Sequence, residues 1–126
     1  MKKILIVFVF CLFSNPSFSM SVGETYKCQM LKHVEMLHYE NDRIVSYRTE
    51  DFSFTLTNEG LVFSDDFVIQ NYTMNNIMLN DGNTLKATDL KGKFRPSSFL
   101  SFFNSEFKWS NMFDVMSSLV SAKCYK

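Results

Sequence analysis

The sequence predicts an all-β domain: a small antiparallel barrel or sandwich of about eight strands at the usual strand length, with its first and last strands linked by a disulfide. Three observations carry this. Apolar and polar residues alternate at period two through the middle of the chain, as in Phe52-Ser53-Phe54-Thr55-Leu56, and successive side chains of a strand point to opposite faces. Clusters of Asn, Asp and Gly recur roughly every 8–12 residues, the turn spacing of a small sandwich or barrel. Two cysteines, Cys28 and Cys124, stand near opposite ends, each inside an alternating segment.

Residues 1–21 stand apart from this pattern. Lys2 and Lys3 precede an unbroken apolar run from Ile4 to Phe13; Asn15 and Pro16 end it, and small residues follow. This is the order of a secretory signal peptide, and the run is about half of the roughly 20 residues a bilayer span takes. Ser17 and Ser19 suit cleavage after Ser19; Ser19 and Ser21 suit cleavage after Ser21. A lipoprotein signal at Cys11 fits poorly, because bulky Phe10 precedes it. We read 1–21 as the leader and 22–126 as a single exported β-domain, periplasmic or extracellular.

Removing the leader changes the composition. The chain has 13 basic and 13 acidic residues; Lys2 and Lys3 leave, so the charge becomes −2. Cys11 leaves as well, and the odd count of three cysteines becomes the pair Cys28 and Cys124. In an oxidising compartment such a pair forms a disulfide. No later apolar stretch is long enough to span a membrane, so no stable membrane insertion is expected after cleavage. The absence of a basic excess argues against nucleic acid as a partner.

The elements follow in order. In Thr25–Met30, the residues Tyr26, Cys28 and Met30 share one face. Residues 32–49 read as two strands separated by Glu40-Asn41-Asp42, with Ile44, Val45 and Tyr47 in the second. Phe52, Phe54 and Leu56 form one face of a strand that turns at Asn58-Glu59-Gly60 into Leu61–Ser64, a β-hairpin. Asp65-Asp66 turns the chain into Phe67-Val68-Ile69-Gln70, read as a further strand. Asn75–Leu79 and Thr84–Thr88 flank Asn80-Asp81-Gly82-Asn83, a strong hairpin signal. Lys91-Gly92-Lys93 supplies another turn. Residues 97–109 read as a strand pair turning near Asn104-Ser105, although Phe99, Phe102 and Phe103 also fit helical spacing. Residues 112–120 fit a short helix through Met112, Val115, Met116, Leu119 and Val120; the competing hairpin turns at Ser117-Ser118, and we favour it because β-period segments flank it. In the last strand Val120, Ala122 and Cys124 share one face.

Chemistry is sparse. Nucleophilic catalysis needs a base near a Ser or Cys, and the domain has only His33 and His38. No G-x-S-x-G elbow occurs. His33, Glu35 and His38 are the only candidates for a metal site, but their spacing matches no zinc motif, and we expect no metal and no cofactor. Asp65-Asp66 reads as a solvated turn, and Lys86, Lys91, Lys93 and Arg95 as a solvated edge. The feature with functional promise is a run of aromatics: Phe99, Phe102, Phe103, Phe107, Trp109 and Phe113. An exposed aromatic patch marks a partner or ligand site, whereas a buried one is core.

These readings favour a non-enzymatic exported β-domain that binds a macromolecular partner, as an inhibitor or envelope interaction module. The alternative is a lipocalin-like carrier of a small apolar ligand, since an eight-stranded barrel can hold one. A hydrolase using His33 or His38 is a third reading. The termini resemble those of the small periplasmic β-barrel inhibitors of C-type lysozyme: a leader, then Tyr26-Lys27-Cys28, then Cys124 near the end. The resemblance implies a barrel and an inhibitory role. It covers the termini only. The inhibitors' Ser-Gly-x-Tyr loop has no counterpart, Asn58-Glu59-Gly60-Leu61 standing in its place, so no inhibitory residue carries over.

Overall fold

A computed structural model describes residues 20–82, 84–89 and 97–126. Residues 1–19 of the expected leader, with Cys11, and the Lys91-Gly92-Lys93 turn lie outside the described residues. The fold is nearly all antiparallel β. Among the described residues ten strands form: β1 Thr25–Leu37, β2 Arg43–Ser46, β3 Phe52–Thr57, β4 Gly60–Phe63, β5 Thr73–Met74, β6 Asn76–Asn80, β7 Thr84–Asp89, β8 Ser97–Phe103, β9 Glu106–Met112 and β10 Met116–Tyr125. Nine of them run in the order β5-β4-β3-β1-β10-β9-β8-β7-β6, and β2 pairs with β1 outside this path. Among the described residues no helix is long and apolar enough to cross a membrane.

The two ends of this path, β5 and β6, are separated in sequence only by Asn75. One bent segment thus pairs with β4 through Thr73–Met74 and with β7 through Asn76–Asn80, and the sheet closes almost completely on itself. The bend passes directly over the β3–β4 hairpin at Gly60. Gly60 has φ +126°, and a Cβ there would collide with the Met74 carbonyl oxygen and lie 2.8 Å from Asn75 Cα. Only glycine satisfies both demands.

β1 and β10 are central neighbours, with Cys28 opposite Cys124. Their sulfurs are bonded, and the Cα atoms stand 4.0 Å apart. The expected inward faces are realised: Tyr26, Cys28 and Met30 on β1, Phe52, Phe54 and Leu56 on β3, and Val120, Ala122 and Cys124 on β10 are all buried. Between Met30 and Lys32 a β-bulge interrupts the pairing with β10. Past it the inward positions of β1 become His33, Glu35 and Leu37, because a bulge inserts one extra residue and resets the alternation.

The interior is filled by rings. Phe54 packs against Tyr26, Phe102 and Phe107, and Phe63 against Phe67, with centroids 4.4–5.7 Å apart. Burying one such ring contributes roughly 1.5–3 kcal/mol relative to exposure.

Several expectations need correction. Phe67–Gln70 is not a strand. Ser64–Asn71 leaves the sheet as a loop closed by Phe63 N–H donating to Tyr72 O at 3.0 Å. Its apolar residues find burial by entering the barrel mouth, where the Phe67 ring meets Phe52 at 4.9 Å and Trp109 at 5.2 Å. The helical alternatives at 99–103 and 112–120 do not form. The last hairpin turns at Phe113–Val115, where Phe113 N–H donates to Met116 O at 2.7 Å, and not at Ser117-Ser118. Both serines lie within β10, paired on each side, because small residues fit a strand interior as readily as a turn. Tyr47 follows β2 and is not part of it.

Candidate functional site

The aromatic run splits between the two faces of the barrel wall. Phe102, Phe107 and Trp109 are buried, Phe99 and Phe103 are 49% and 48% exposed, and Phe113 is half-buried in the last turn. The cause is the Asn104-Ser105 turn, where both residues have positive φ. Such a two-residue hairpin sets Phe103 opposite Glu106 and Phe102 opposite Phe107. Odd-numbered residues therefore face outward on β8 and inward on β9, so residues of one sequence parity do not share a face.

Phe99 belongs to a larger outward surface that only the register reveals. Across four neighbouring strands, Val34 stands opposite Leu119, Leu119 opposite Ser110, and Ser110 opposite Phe99. The adjacent row runs Ile44, Met36, Ser117 and Met112. Ile44 and Met112 are 65% and 63% exposed. The small serines between bulkier neighbours leave two shallow grooves, about 410 Å³ along β1, β2, β9 and β10 and about 330 Å³ toward Met78, which share Ser110 and Leu119. Sequence reading missed this surface because its members come from five strands and are separated singly by polar residues.

A cationic row borders the apolar one. Lys86 stands opposite Ser101, Ser101 opposite Lys108, Lys108 opposite Ser121, and Ser121 opposite Lys32. All three lysines are exposed. Lys108 has Glu106 at 3.9 Å. The outer wall thus presents an apolar strip edged by a lysine rail.

The inner wall carries a polar belt at the opposite depth from the disulfide. Asp89, Ser98, Asn111, Ser118 and Glu35 are consecutive partners across β7, β8, β9, β10 and β1. Ser118 Oγ donates to Glu35 Oε1 at 3.3 Å. Ser98 Oγ, Trp109 Nε1 and Tyr72 Oη are buried beside one another, and both Asn111 amide atoms are buried without a hydrogen-bond partner among the described residues. Burial pushes the Tyr72 phenol up, opposed by Ser98 and Trp109.

His33 and Glu35 face the mouth beside this belt, His33 Nε2 lying 3.5 Å from Glu35 Oε1. The His33 ring stacks on Tyr47 at 4.8 Å. Burial holds its pKa below the ordinary value, with Glu35 opposing. Glu35, as acceptor for the Tyr47 hydroxyl, pushes that phenol up. Together with Arg48, Glu50, Asp65, Asp66 and the Phe67 loop, His33 and Tyr47 line a polar cleft of about 600 Å³. Among the described residues no group of three or more His, Cys, Asp or Glu side chains could hold a metal ion. His38 is engaged elsewhere.

His38, in the 3₁₀ turn His38–Glu40 after β1, forms a relay. Its Nδ1 lies 2.7 Å from Asp42 Oδ1 and its Nε2 lies 2.9 Å from Ser117 Oγ. Those are the partners of a Ser-His-Asp triad. Ser117, however, sits within a strand paired on both sides, and an oxyanion hole needs backbone or side-chain donors aimed at the reacting oxygen.

The disulfide-bonded barrel fits an exported small domain, since such bonds persist in oxidising compartments. No family model, curated protein or solved structure matches this chain.

Proposed function

We propose that this protein is an exported, non-enzymatic binding module that docks a protein partner on its outer wall, in the periplasm or outside the cell. The apolar strip of Val34, Met36, Ile44, Phe99, Met112 and Leu119 supports this reading. Contiguous exposed apolar surface carries a free-energy cost that a soluble domain offsets by covering it with a partner. The lysine rail specifies the partner's chemistry: an apolar ridge flanked by carboxylates. On a domain of net negative charge, a local row of three lysines is an asymmetry that steers an acidic surface. The carrier alternative is disfavoured by the ring-filled interior.

Site-specific photocrosslinking tests the docking face. A crosslinker at Leu119 or Met112 should capture one protein species, and one at Val62, exposed on the distant β4, should not. Changing Lys32, Lys86 and Lys108 to Glu should abolish the capture. Equal capture at all three positions, or none, rejects this reading.

One observation favours a second reading, a serine hydrolase: the Asp42–His38–Ser117 relay at the margin of the apolar groove. Ser117 Oγ would attack an ester carbonyl while His38 takes its proton; His38 would return that proton to the alcohol as the ester C–O bond breaks, and water, activated by His38, would then release the acyl group as a carboxylic acid and restore Ser117. A fluorophosphonate probe labelling Ser117 in the folded protein, lost in His38→Gln, would establish it. An unlabelled Ser117 removes it.

A further inference from the structure

The sequence allows two sites of leader removal, and the N-terminal contacts of the barrel distinguish them. We propose that maturation cuts the Ser19–Met20 bond, and that Asn80 is a built receptor for the new N-terminus. The inference rests on the export reading above.

Met20 is a core residue, 4% exposed, although it lies five residues before β1. Its backbone is held by one side chain. Met20 N–H donates to Asn80 Oδ1 at 3.2 Å, and Asn80 Nδ2 donates to Met20 O at 2.8 Å. The Asn80 amide thereby pairs with residue 20 as a neighbouring strand would, at the end of β6 where the backbone ladder stops. Ser21 is fixed as well. Its N–H donates to Glu24 Oε2 at 2.9 Å, and its carbonyl accepts from Glu24 N–H at 3.0 Å. Glu24 in turn holds Lys126 at 2.7 Å, tying both termini of the domain together.

A cut after Ser21 would discard the Met20 and Ser21 contacts. It would remove a buried methionine, both partners of the Asn80 amide and both bonds of Ser21, and would leave Val22, which is 61% exposed, as the first residue. A cut after Ser19 keeps every contact. The step is hydrolysis by a leader-removing endopeptidase: water adds across the Ser19–Met20 amide, Ser19 departs with the carboxylate, and Met20 gains an amino group. That amine retains a hydrogen for Asn80 Oδ1, so the clasp survives the chemistry.

The test begins with intact mass and N-terminal sequencing of the exported full-length product. A start at Met20 is expected. A start at Val22 overturns the inference and leaves the export reading standing. An uncleaved chain retained in the cytoplasm overturns the export reading itself. A second measurement addresses the clasp. Asn80→Ala should lower the melting temperature of protein beginning at Met20 and leave protein beginning at Val22 unchanged, because the latter has already lost both Asn80 partners. Equal effects in the two forms would overturn the role of Asn80.

Discussion

Cys28 and Cys124 are direct partners in the β1–β10 ladder, both fully inward, and stand 96 positions apart in sequence. The bond therefore joins two strands that already pair through most of their length. Its main effect falls on the unfolded chain, which it denies the conformations in which its ends are far apart. Replacing both cysteines with Ala should lower unfolding free energy by about 2–5 kcal/mol. Urea denaturation of wild type with and without reductant, beside the double variant, measures this. Reduction without any shift of the midpoint would contradict it.

Two glycines with positive φ should respond differently to alanine. Gly23 has φ +91° and nothing within 4 Å of an added Cβ, whereas Gly60 has φ +126° and a Cβ that meets the Met74–Asn75 backbone. Gly23→Ala should cost about 1–2 kcal/mol, the left-handed penalty alone. Gly60→Ala should cost clearly more, about 3 kcal/mol or above, since the corner that closes the barrel must shift. Comparable melting temperatures for the two variants would refute the assignment of Gly60 to that crossing.

The split of the aromatic run is also measurable. Phe107 is fully buried and Phe99 is half-exposed. Phe107→Ala should destabilise by about 3–5 kcal/mol, while Phe99→Ser should change stability by about 0.5 kcal/mol or less and weaken partner capture. Chemical denaturation of the two variants separates packing from recognition.

His33 should shape stability in mildly acidic solution. Its ordinary pKa is 6.5, and burial holds the folded value lower despite Glu35. Between the two values the unfolded chain binds a proton that the folded chain refuses. Stability therefore falls as pH drops through 6.5 and levels off below the folded value. His33→Gln should flatten this limb, and the NMR titration of His33 should lie on the acid side of 6.5. Glu24 acts in a separate, lower window: Lys126 and the Ser21 N–H hold it below 4.5, so its contribution is present above that value and lost as pH falls through the folded pKa.

Much of the fold was legible because it depends on local alternation. The inward faces of β1, β3 and β10, the hairpins at Asn58-Glu59 and Asn104-Ser105, and the pairing of two terminal cysteines all follow from period-two patterning and turn chemistry. The errors share a cause. Phe67–Gln70 is apolar because it plugs a mouth, and a plug and a short buried strand have the same composition. Ser117-Ser118 looks like a turn because serine suits both a turn and a strand beside bulky neighbours. Leu31 and Lys32, both outward at a bulge, cannot be recognised without the partner strand.

The sequence by itself determined which residues of each strand lie together, where most strands end, and which cysteines pair. Only the tertiary structure decided which strands lie side by side, and with that every feature of the candidate sites. The apolar strip, the lysine rail, the inner polar belt and the His38 relay each join residues from strands distant in sequence. Alternation along one strand specifies a face with a free sign and offset; cross-strand register supplies both, through turn lengths, one bulge and the closure of the barrel at Asn75.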